Sequence, residues 1–224
     1  MTSPTNLYPR NIRVLPSRIE QPAHPSVVSK AKRRLDILGA IVGLIITAVV
    51  TVPVAIAMYF DDPGKIFYSQ TRCGFEGQTF TIWKFRSMIA NAEKKKHLVE
   101  NQATGHIFKN ENDPRVTKVG RFLRRTSMDE FPQFWNVLRG EMSLVGTRPP
   151  TTAEVAMYEA HHFERLKVKP GITGEWQVRG RSEVLNFEDI VQMDVEYQQK
   201  WSFLYDLKLI LQTVGVVLAR KGAC

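Results

Sequence analysis

The chain has 224 residues, which suits one domain or one domain with an appendage. Hydrophobic residues make up 43% of it and charged residues 24%, values that exclude wholesale disorder and fibrous repeats. Lysine and arginine number 31 against 22 aspartate and glutamate, and the net charge of +9 favours an anionic partner: nucleic acid, an anionic lipid or a phosphorylated substrate. The cysteines, Cys73 and Cys224, are too few for a disulfide framework and fit a reducing compartment.

The N-terminal part of the chain predicts a tail followed by a membrane segment. Residues 1–29 hold five of the 12 prolines and show no apolar periodicity, which is typical of a flexible tail. No side chain is charged from residue 37 to residue 60. At about 1.5 Å per residue, a straight helix of that length reaches roughly 36 Å, enough to cross a hydrocarbon core of about 30 Å. We therefore predict a membrane segment over residues 30–61, and its basic flank favours the cytoplasmic face.

Three interpretations of this segment compete. A cleaved signal peptide is disfavoured by the long polar lead and by the length of the apolar run. A plain single span would place the rest of the chain outside the cell. Pro53 argues for a re-entrant helix–break–helix that returns to the face it entered, because proline removes a backbone donor and kinks or breaks a helix. Proline is also tolerated in true spans, so the pattern alone leaves the last two alternatives open.

The rest of the chain predicts a small α+β domain that is mainly helical. Strands are expected over 66–71 and 79–85, on either side of a loop. Helices are expected over 88–103, after residue 127, and over 152–166, 184–200 and 203–219. The last of these is strongly apolar but contains Asp206 and Lys208, so we expect it to pack in the core or lie on a membrane surface as an amphipathic helix.

The strongest candidate for chemistry is a pair of adjacent carboxylates, Asp129 and Glu130. Several arginines lie near them in sequence: Arg121, Arg124, Arg125, Arg139 and Arg148. A phosphoryl-transfer site needs such a set, because the cations offset phosphate charge while one carboxylate holds Mg²⁺ and the other acts as nucleophile or base. A structural alternative is that Ser127-x-x-Glu130 forms a capping box. Pro132 weakens it, because it falls just past the free first turn of such a helix.

Two loops, at 140–150 and 169–174, carry glycines beside basic residues. Glycine lets backbone N–H groups approach an anion closely, but it is equally typical of tight turns, so both interpretations stay open. Other catalytic signatures are missing from the sequence. It has no P-loop, no G-x-G-x-x-G and no G-x-S-x-G, and its histidines show no metal-ligand spacing.

Four segments in series resemble one protein family. They are KFRSM (84–88), RRTSMDEFPQ (124–133), SLVGTRP (143–149) and KPGITGEWQVRGR (169–181). Together they resemble the bacterial sugar transferases, which are monotopic polyprenyl-phosphate hexose-1-phosphate transferases, in their short form. The resemblance runs from about Lys30 to the C-terminus and leaves residues 1–29 uncovered.

The resemblance implies an activity and a place in the cell. It implies a re-entrant helix broken at Pro53 and a catalytic domain over 62–224 on the cytoplasmic face of the bacterial inner membrane. Asp129 would be the nucleophile that attacks the β-phosphate of a UDP-sugar, and Glu130 would be a Mg²⁺ ligand. The positions that match phosphate-contacting residues are Lys84, Arg124 and Arg148. A ping-pong reaction would release UMP and pass the sugar phosphate to undecaprenyl phosphate, which starts a polysaccharide or glycoconjugate repeat unit.

The loop around Arg148 departs from the pattern of many relatives. They have Gly-Pro-Arg-Pro where this chain has Gly146-Thr147-Arg148-Pro149. The Arg-Pro core is kept, so the phosphate contact is still expected, although the local loop geometry differs. The GTRPPT form resembles that of capsule-type glucosyl-1-phosphate transferases, and this resemblance favours UDP-glucose as the donor. A homo-oligomer is compatible with this resemblance.

Two other functions compete with a transferase. A nucleic-acid-binding module would explain the charge of +9, but no motif that reads DNA or RNA is present, so we expect no nucleic-acid partner. A non-catalytic membrane scaffold of a polysaccharide assembly complex would explain the anchor and the apolar helices but leaves Asp129 and Glu130 without a role. The substitution Asp129→Asn separates the transferase from the scaffold, because it should stop the enzyme without unfolding it and leave a scaffold unchanged.

Overall fold

The computed structural model describes residues 22–180 and 184–219. In that part of the chain the α-helices are α1 (Pro25–Val28), α2 (Lys30–Asp61), α3 (Lys118–Thr126), α4 (Phe134–Arg139), α5 (Thr152–Val155), α6 (Glu175–Arg179), α7 (Phe187–Lys200) and α8 (Phe203–Leu218). The strands are β1 (Phe67–Cys73), β2 (Thr79–Phe85), β3 (Ser143–Val145) and β4 (Gly171–Thr173). Short 3₁₀ helices cover Phe75–Gly77, Ala92–Leu98, Met128–Gln133 and Ala160–Lys167. Helices with small sheets confirm the mainly helical α+β prediction.

Helix α2 is the candidate membrane anchor. It begins after Ser29, whose hydroxyl accepts a hydrogen bond from the backbone N–H of Lys32, and it continues through Pro53 to Asp61. Among the described residues it is the one helix whose length and composition suffice to cross a membrane. Its outer face is apolar and exposed; the large side chains there are Leu38, Ile41, Val42, Ile45, Ile46, Val49, Val52, Ile56, Tyr59 and Phe60. This face is suited to lipid, because a contiguous apolar surface of this size is unfavourable in water.

The opposite face of α2 packs on the domain along nearly the whole helix. The buried residues recur at helical spacing: Lys32, Asp36, Ala40, Gly43, Thr47, Val54 and Met58. Small residues let the neighbouring elements come close, since a Cβ on Gly43 would overlap the ring of Phe134 in α4. Further along, Val54 and Met58 share a core cluster with Phe85 and Leu123. The anchor and the domain are therefore one packed unit.

Polar contacts tie both ends of α2 to the domain. Near the start, Lys32 Nζ lies 2.6 Å from Asp206 Oδ2 in α8 and donates to the carbonyl of Val145 at 2.9 Å. At the far end, Asp61 Oδ2 accepts a hydrogen bond of 2.8 Å from the backbone N–H of Val119 in α3. The two ends of this long helix thus contact the same domain.

Replacing Asp206 by asparagine should lower the free energy of unfolding by about 3–5 kcal/mol, because it breaks a buried ion pair by removing the carboxylate that lies 2.6 Å from Lys32 Nζ. Lys32 and Asp206 are only 4% and 0% exposed. Thermal unfolding of the detergent-solubilised protein measures the loss. The control is Glu164→Gln, which breaks an exposed pair with Lys167 and should change the stability by no more than about 1 kcal/mol. Equal effects of the two substitutions would contradict the prediction.

Strands β1 and β2 form an antiparallel hairpin that presents polar side chains on one face. Tyr68 pairs with Lys84 and Arg72 pairs with Phe80, across the same hairpin. Because side chains alternate along a strand and directly opposed residues point the same way, Tyr68, Arg72 and Lys84 share a face. The strands cover Phe67–Cys73 and Thr79–Phe85, close to the predicted ranges.

Strands β3 and β4 are short, parallel, and formed by the two glycine-containing loops. Ser143 pairs with Gly171, and Val145 pairs with Thr173. A Cβ on Gly146 would overlap the backbone of Lys169, and one on Gly171 would overlap the backbone of Gly146. These glycines are thus needed where the two loops pack backbone against backbone, which favours the structural interpretation over direct anion binding.

Three predicted helices differ in the structure. The helix predicted over 88–103 is wrong except for the 3₁₀ helix Ala92–Leu98, which follows Asn91 in a left-handed conformation with φ of 58°. The helix predicted over 152–166 is divided into α5 and the 3₁₀ helix Ala160–Lys167. After residue 127 the chain first forms the 3₁₀ helix Met128–Gln133 and then α4, because Pro132 lacks the N–H that an α-helix would use. Of the predicted tail, residues 22–29 include α1, and residues 1–21 lie outside the described part.

Candidate active site

The acidic pair lies in a tight connection between two helices. Ser127 ends α3 in a left-handed conformation with φ of 57°, and its backbone N–H donates to the carbonyl of Arg124 at 3.0 Å. Asp129 and Glu130 follow in the first turn of the 3₁₀ helix Met128–Gln133. The Ser127 side chain makes no capping bond to that helix, so the capping-box alternative does not hold here. The connection instead places two carboxylates beside α3 and β2.

Asp129 is a poorly hydrated carboxyl group. It is 8% exposed, and its burial, together with the charge of Glu130, raises the pKa of its carboxyl above the ordinary range. The nearby charges of Lys84 and Arg124 act in the opposite direction without cancelling the rise. A carboxylate that has lost most of its water but faces cations is suited to attack an electrophile that those cations also bind.

Lys84 and Arg124 flank the acidic pair from different elements. Lys84 on β2 forms an ion pair of 2.8 Å with Glu130 Oε1, and both side chains are partly exposed. Arg124, in the last turn of α3, donates from Nε to the hydroxyl of Ser87 at 3.0 Å. The structure therefore brings together four of the predicted site residues: Asp129, Glu130, Lys84 and Arg124. Pro53 lies in α2 and is not part of this cluster.

Arg148 reaches the cluster through a residue that the sequence analysis missed, Arg72 on β1. Arg72 donates from Nη1 to the carbonyl of Pro149 at 2.9 Å, which fixes the segment after Arg148 against the hairpin. Burial and the neighbouring charge of Arg148 lower the pKa of Arg72 to about 10, while the charges of Glu154 and Glu130 oppose the shift. Arg72 thus lies within electrostatic reach of both Arg148 and Glu130.

Glu154 is the second residue that the sequence analysis missed. Its carboxylate pairs with the guanidinium of Arg148 at 3.2 Å. It also completes a capping box with Thr151 at the start of α5, a pattern that the spacing Thr151-x-x-Glu154 signals. Arg72 carried a weaker signal, because its place on the face of Lys84 depends on the strand register.

The donor set at the acidic pair suits a magnesium ion. Mg²⁺ prefers carboxylate and phosphate oxygens, and Glu130 lies beside Asp129 with its side chain 33% exposed. A second group of metal-type ligands, His161, His162 and Glu188, lies elsewhere in the described residues. There the backbone N–H of Glu159 donates to His162 Nδ1, and His162 Nε2 lies 2.7 Å from Glu188 Oε1, so both ring nitrogens already have partners. Hydrogen bonds explain that group without a metal ion.

The segment KPGITGEWQVRGR contributes Trp176, whose ring lies 6.0 Å from the guanidinium carbon of Arg148. Trp176 also packs against the cluster of buried apolar residues that includes Phe187 and Ile190. It therefore lies between the basic site and the core. Arg181, the last residue of that segment, lies outside the described residues.

The chain is similar to known proteins of one family. A family model described as bacterial sugar transferase matches residues 27–220. The galactosyl transferase CpsE of Streptococcus agalactiae is 51% identical over 195 residues, which cover 86% of this chain and 43% of the relative. The UDP-glucose:undecaprenyl-phosphate glucose-1-phosphate transferase of Escherichia coli is 43% identical over 199 residues, covering 86% of this chain and 41% of that relative.

A relative of similar size is also found. The exopolysaccharide production protein ExoY of Sinorhizobium fredii is 38% identical over 199 residues, which cover 86% of this chain and 88% of the relative. By contrast, this chain spans less than half the length of the two transferases above.

Proposed function

The chain belongs to the family of bacterial sugar transferases, and on that basis we propose that it transfers a hexose-1-phosphate from a UDP-sugar to undecaprenyl phosphate and releases UMP. The observation that carries this proposal is the buried Asp129, which lies among the cations Lys84 and Arg124. The name of the Escherichia coli relative, a UDP-glucose:undecaprenyl-phosphate glucose-1-phosphate transferase, gives a donor and an acceptor of these kinds for that protein.

The first step is an attack by a carboxylate oxygen of Asp129 on the β-phosphorus of the UDP-sugar. The bond between that phosphorus and the oxygen bridging to the α-phosphate breaks, and UMP leaves with the bridging oxygen. The hexose-1-phosphoryl group is then held on Asp129 as an acyl phosphate. Lys84, Arg124 and Arg148 would bind the phosphate oxygens, on which negative charge concentrates during the displacement.

The second step regenerates the enzyme. A phosphate oxygen of undecaprenyl phosphate attacks the same phosphorus, and the bond from phosphorus to Asp129 breaks. The products are undecaprenyl diphosphate hexose and the free carboxylate. A carboxylate is a good leaving group from phosphorus because it is the conjugate base of a weak acid, and the charges of Lys84 and Arg124 beside Asp129 would stabilise the carboxylate as it is released.

Mg²⁺ is proposed as the cofactor, held by Glu130. Bound there, it would neutralise phosphate charge and orient the diphosphate. Lys84 forms an ion pair with the carboxylate of Glu130, and this contact would hold the Glu130 side chain in place beside Asp129. The metal proposal is supported by the oxygen donors of the acidic pair and by the exposure of Glu130.

We propose that α2 is re-entrant, with the domain after residue 61 on the cytoplasmic face of the inner membrane. A straight helix of this length reaches about 48 Å, so its ends would lie on opposite sides of a bilayer in a plain span. Contacts of Lys32 with Asp206 and of Asp61 with Val119 support the alternative, since one domain on one face contacts both ends. Pro53, inside the helix, is a place where it could bend in the membrane.

The donor is proposed to be UDP-glucose, from the GTRPPT sequence of the loop. The relatives' names include both galactosyl and glucose-1-phosphate transferases, so UDP-galactose is the competing donor. The product would start a polysaccharide repeat unit, which is consistent with the exopolysaccharide role that the ExoY name gives that relative.

The proposed function is tested by UMP release from a panel of UDP-sugars. The purified, detergent-solubilised protein is supplied with Mg²⁺, with and without undecaprenyl phosphate. We expect multiple turnovers for one sugar, and only when both the metal and the lipid are present. Folded protein that releases no UMP from any UDP-sugar would overturn the proposal and leave a membrane scaffold as the better account.

A further inference from the structure

Glu154 holds the tip of the Arg148 side chain. Its guanidinium donates from Nη1 to Glu154 Oε2 at 3.2 Å and from Nη2 to Glu154 Oε1 at 3.4 Å, a two-point contact. The guanidinium has five N–H donors, and no other hydrogen bond to it from a described residue is found. Its remaining donors are therefore available to an anion while Glu154 fixes the orientation of the fork.

The backbone of Arg148 is fixed from the interior. Arg165 Nη2 donates to the Arg148 carbonyl at 3.4 Å, and the backbone of Arg148 lies near the carboxylate of Asp194 in α7. Arg165 and Asp194 form a buried ion pair of 2.6 Å, with side chains 0% and 2% exposed. The base of the Arg148 side chain is thus anchored to a rigid part of the domain, and only the orientation of its guanidinium is left to Glu154.

Glu154 is itself held in place. Its Oε2 accepts the backbone N–H of Thr151 at 2.8 Å, and its own N–H donates to the Thr151 hydroxyl at 3.1 Å. The side chain is only 10% exposed. Burial acts to raise the pKa of Glu154, but the charge and hydrogen bonds of Arg148, the Thr151 N–H and the charge of Arg72 together lower it, so the carboxylate is ionised at neutral pH. A fixed and ionised carboxylate in contact with a phosphate-binding arginine needs an explanation, because it also reduces the positive potential of an anion site.

We propose that Glu154 is a positioning residue, which holds the Arg148 guanidinium in the orientation that binds the phosphate oxygens of the nucleotide sugar. This inference rests on the proposed function. The negative charge of Glu154 weakens the attraction of the site for an anion, but the orientation that Glu154 gives to Arg148 should affect the rate more than that loss of attraction does.

Two roles of Glu154 predict opposite results when its charge is removed. If Glu154 only lowers the local potential, its removal should strengthen the binding of UDP and leave turnover intact. If it positions Arg148, its removal should slow turnover even where binding is unchanged or stronger. The ratio of the effects on kcat and KM therefore separates the two roles.

The test compares Glu154→Gln and Glu154→Asp with the control Glu164→Gln. The glutamine keeps an acceptor for the Thr151 N–H, so the cap of α5 survives while the charged two-point contact is lost. Aspartate keeps the charge but is too short to reach the same atoms. We expect both substitutions to lower kcat by about tenfold to a hundredfold, with KM for the UDP-sugar changed far less. The control, on the exposed Glu164, should behave as the wild type.

A double-mutant cycle with Arg148→Ala completes the experiment. If Glu154 acts through Arg148, then Glu154→Gln should cause no further loss in the Arg148→Ala background. Independent losses that multiply would overturn the inference, as would a kcat for Glu154→Gln equal to that of the control. A wild type that releases no UMP would overturn the proposed function as well, whereas an active wild type with an equally active Glu154→Gln would overturn this inference alone.

Discussion

Replacing Asp129 by asparagine should reduce turnover of the UDP-sugar by at least about a thousandfold, the order expected when a covalent nucleophile is removed. Asparagine has nearly the same shape but cannot form the acyl phosphate. UMP release with undecaprenyl phosphate present measures the loss. The result also separates the transferase from a scaffold, for which the substitution should change nothing.

The stability of Asp129→Asn provides the control for this prediction. Folding raises the pKa of the Asp129 carboxyl, so at neutral pH the ionised form is more stable in the unfolded chain than in the folded one. The resulting cost to folding disappears as the pH falls below the ordinary pKa of an aspartate. Because asparagine carries no charge, the variant should unfold at the same temperature as the wild type or higher at pH 7. Loss of activity with a lowered unfolding temperature would indicate misfolding and contradict the account.

Replacing Glu130 by glutamine should lower kcat by about a hundredfold or more, a size typical for a group that stabilises transition-state charge. The amide is a weaker ligand for Mg²⁺, so the Mg²⁺ concentration needed for half-maximal activity should rise. A titration of Mg²⁺ from a chelator-treated sample measures both quantities. The wild type should lose its activity on chelation and regain it on addition of Mg²⁺.

Loss of the Lys84–Glu130 ion pair needs a separate control in that experiment. The pair joins two partly exposed side chains, so breaking it should change the stability little. A Glu130→Gln variant that unfolds like the wild type, but requires more Mg²⁺, supports the proposed ligand role. An unchanged Mg²⁺ requirement would contradict the ligand role of Glu130.

Much of the fold could be predicted because apolar patterning decides it locally. Helices α2 and α8 follow from long apolar runs, and the hairpin of β1 and β2 follows from short runs around a glycine-containing loop. The failure over 88–103 has a physical reason. That stretch has many charges but no apolar face to pack, so its conformation depends on local turns such as the left-handed Asn91.

The candidate site was only partly predictable. Asp129, Glu130 and Arg124 are close in sequence, so a short motif brings them together. Arg72 was missed because its place beside Lys84 depends on strand register, and the contact of Glu154 with Arg148 was missed because the capping-box spacing predicts only the start of α5. The glycines of the two loops were ambiguous for the same reason. Their function in the packing of β3 against β4 is visible only once the two loops are paired.

The most direct test of the central claim is detection of a hexose phosphate on Asp129. The protein is mixed with Mg²⁺ and with the UDP-sugar that supports turnover in the panel assay, without the acceptor lipid. The reaction is then quenched and analysed by peptide mass spectrometry. The account predicts UMP release of up to one equivalent and a hexose-phosphate adduct on the peptide with Asp129, lost when undecaprenyl phosphate is added before the quench. UMP release that occurs only with the lipid present, with no adduct at any time, would contradict the covalent route.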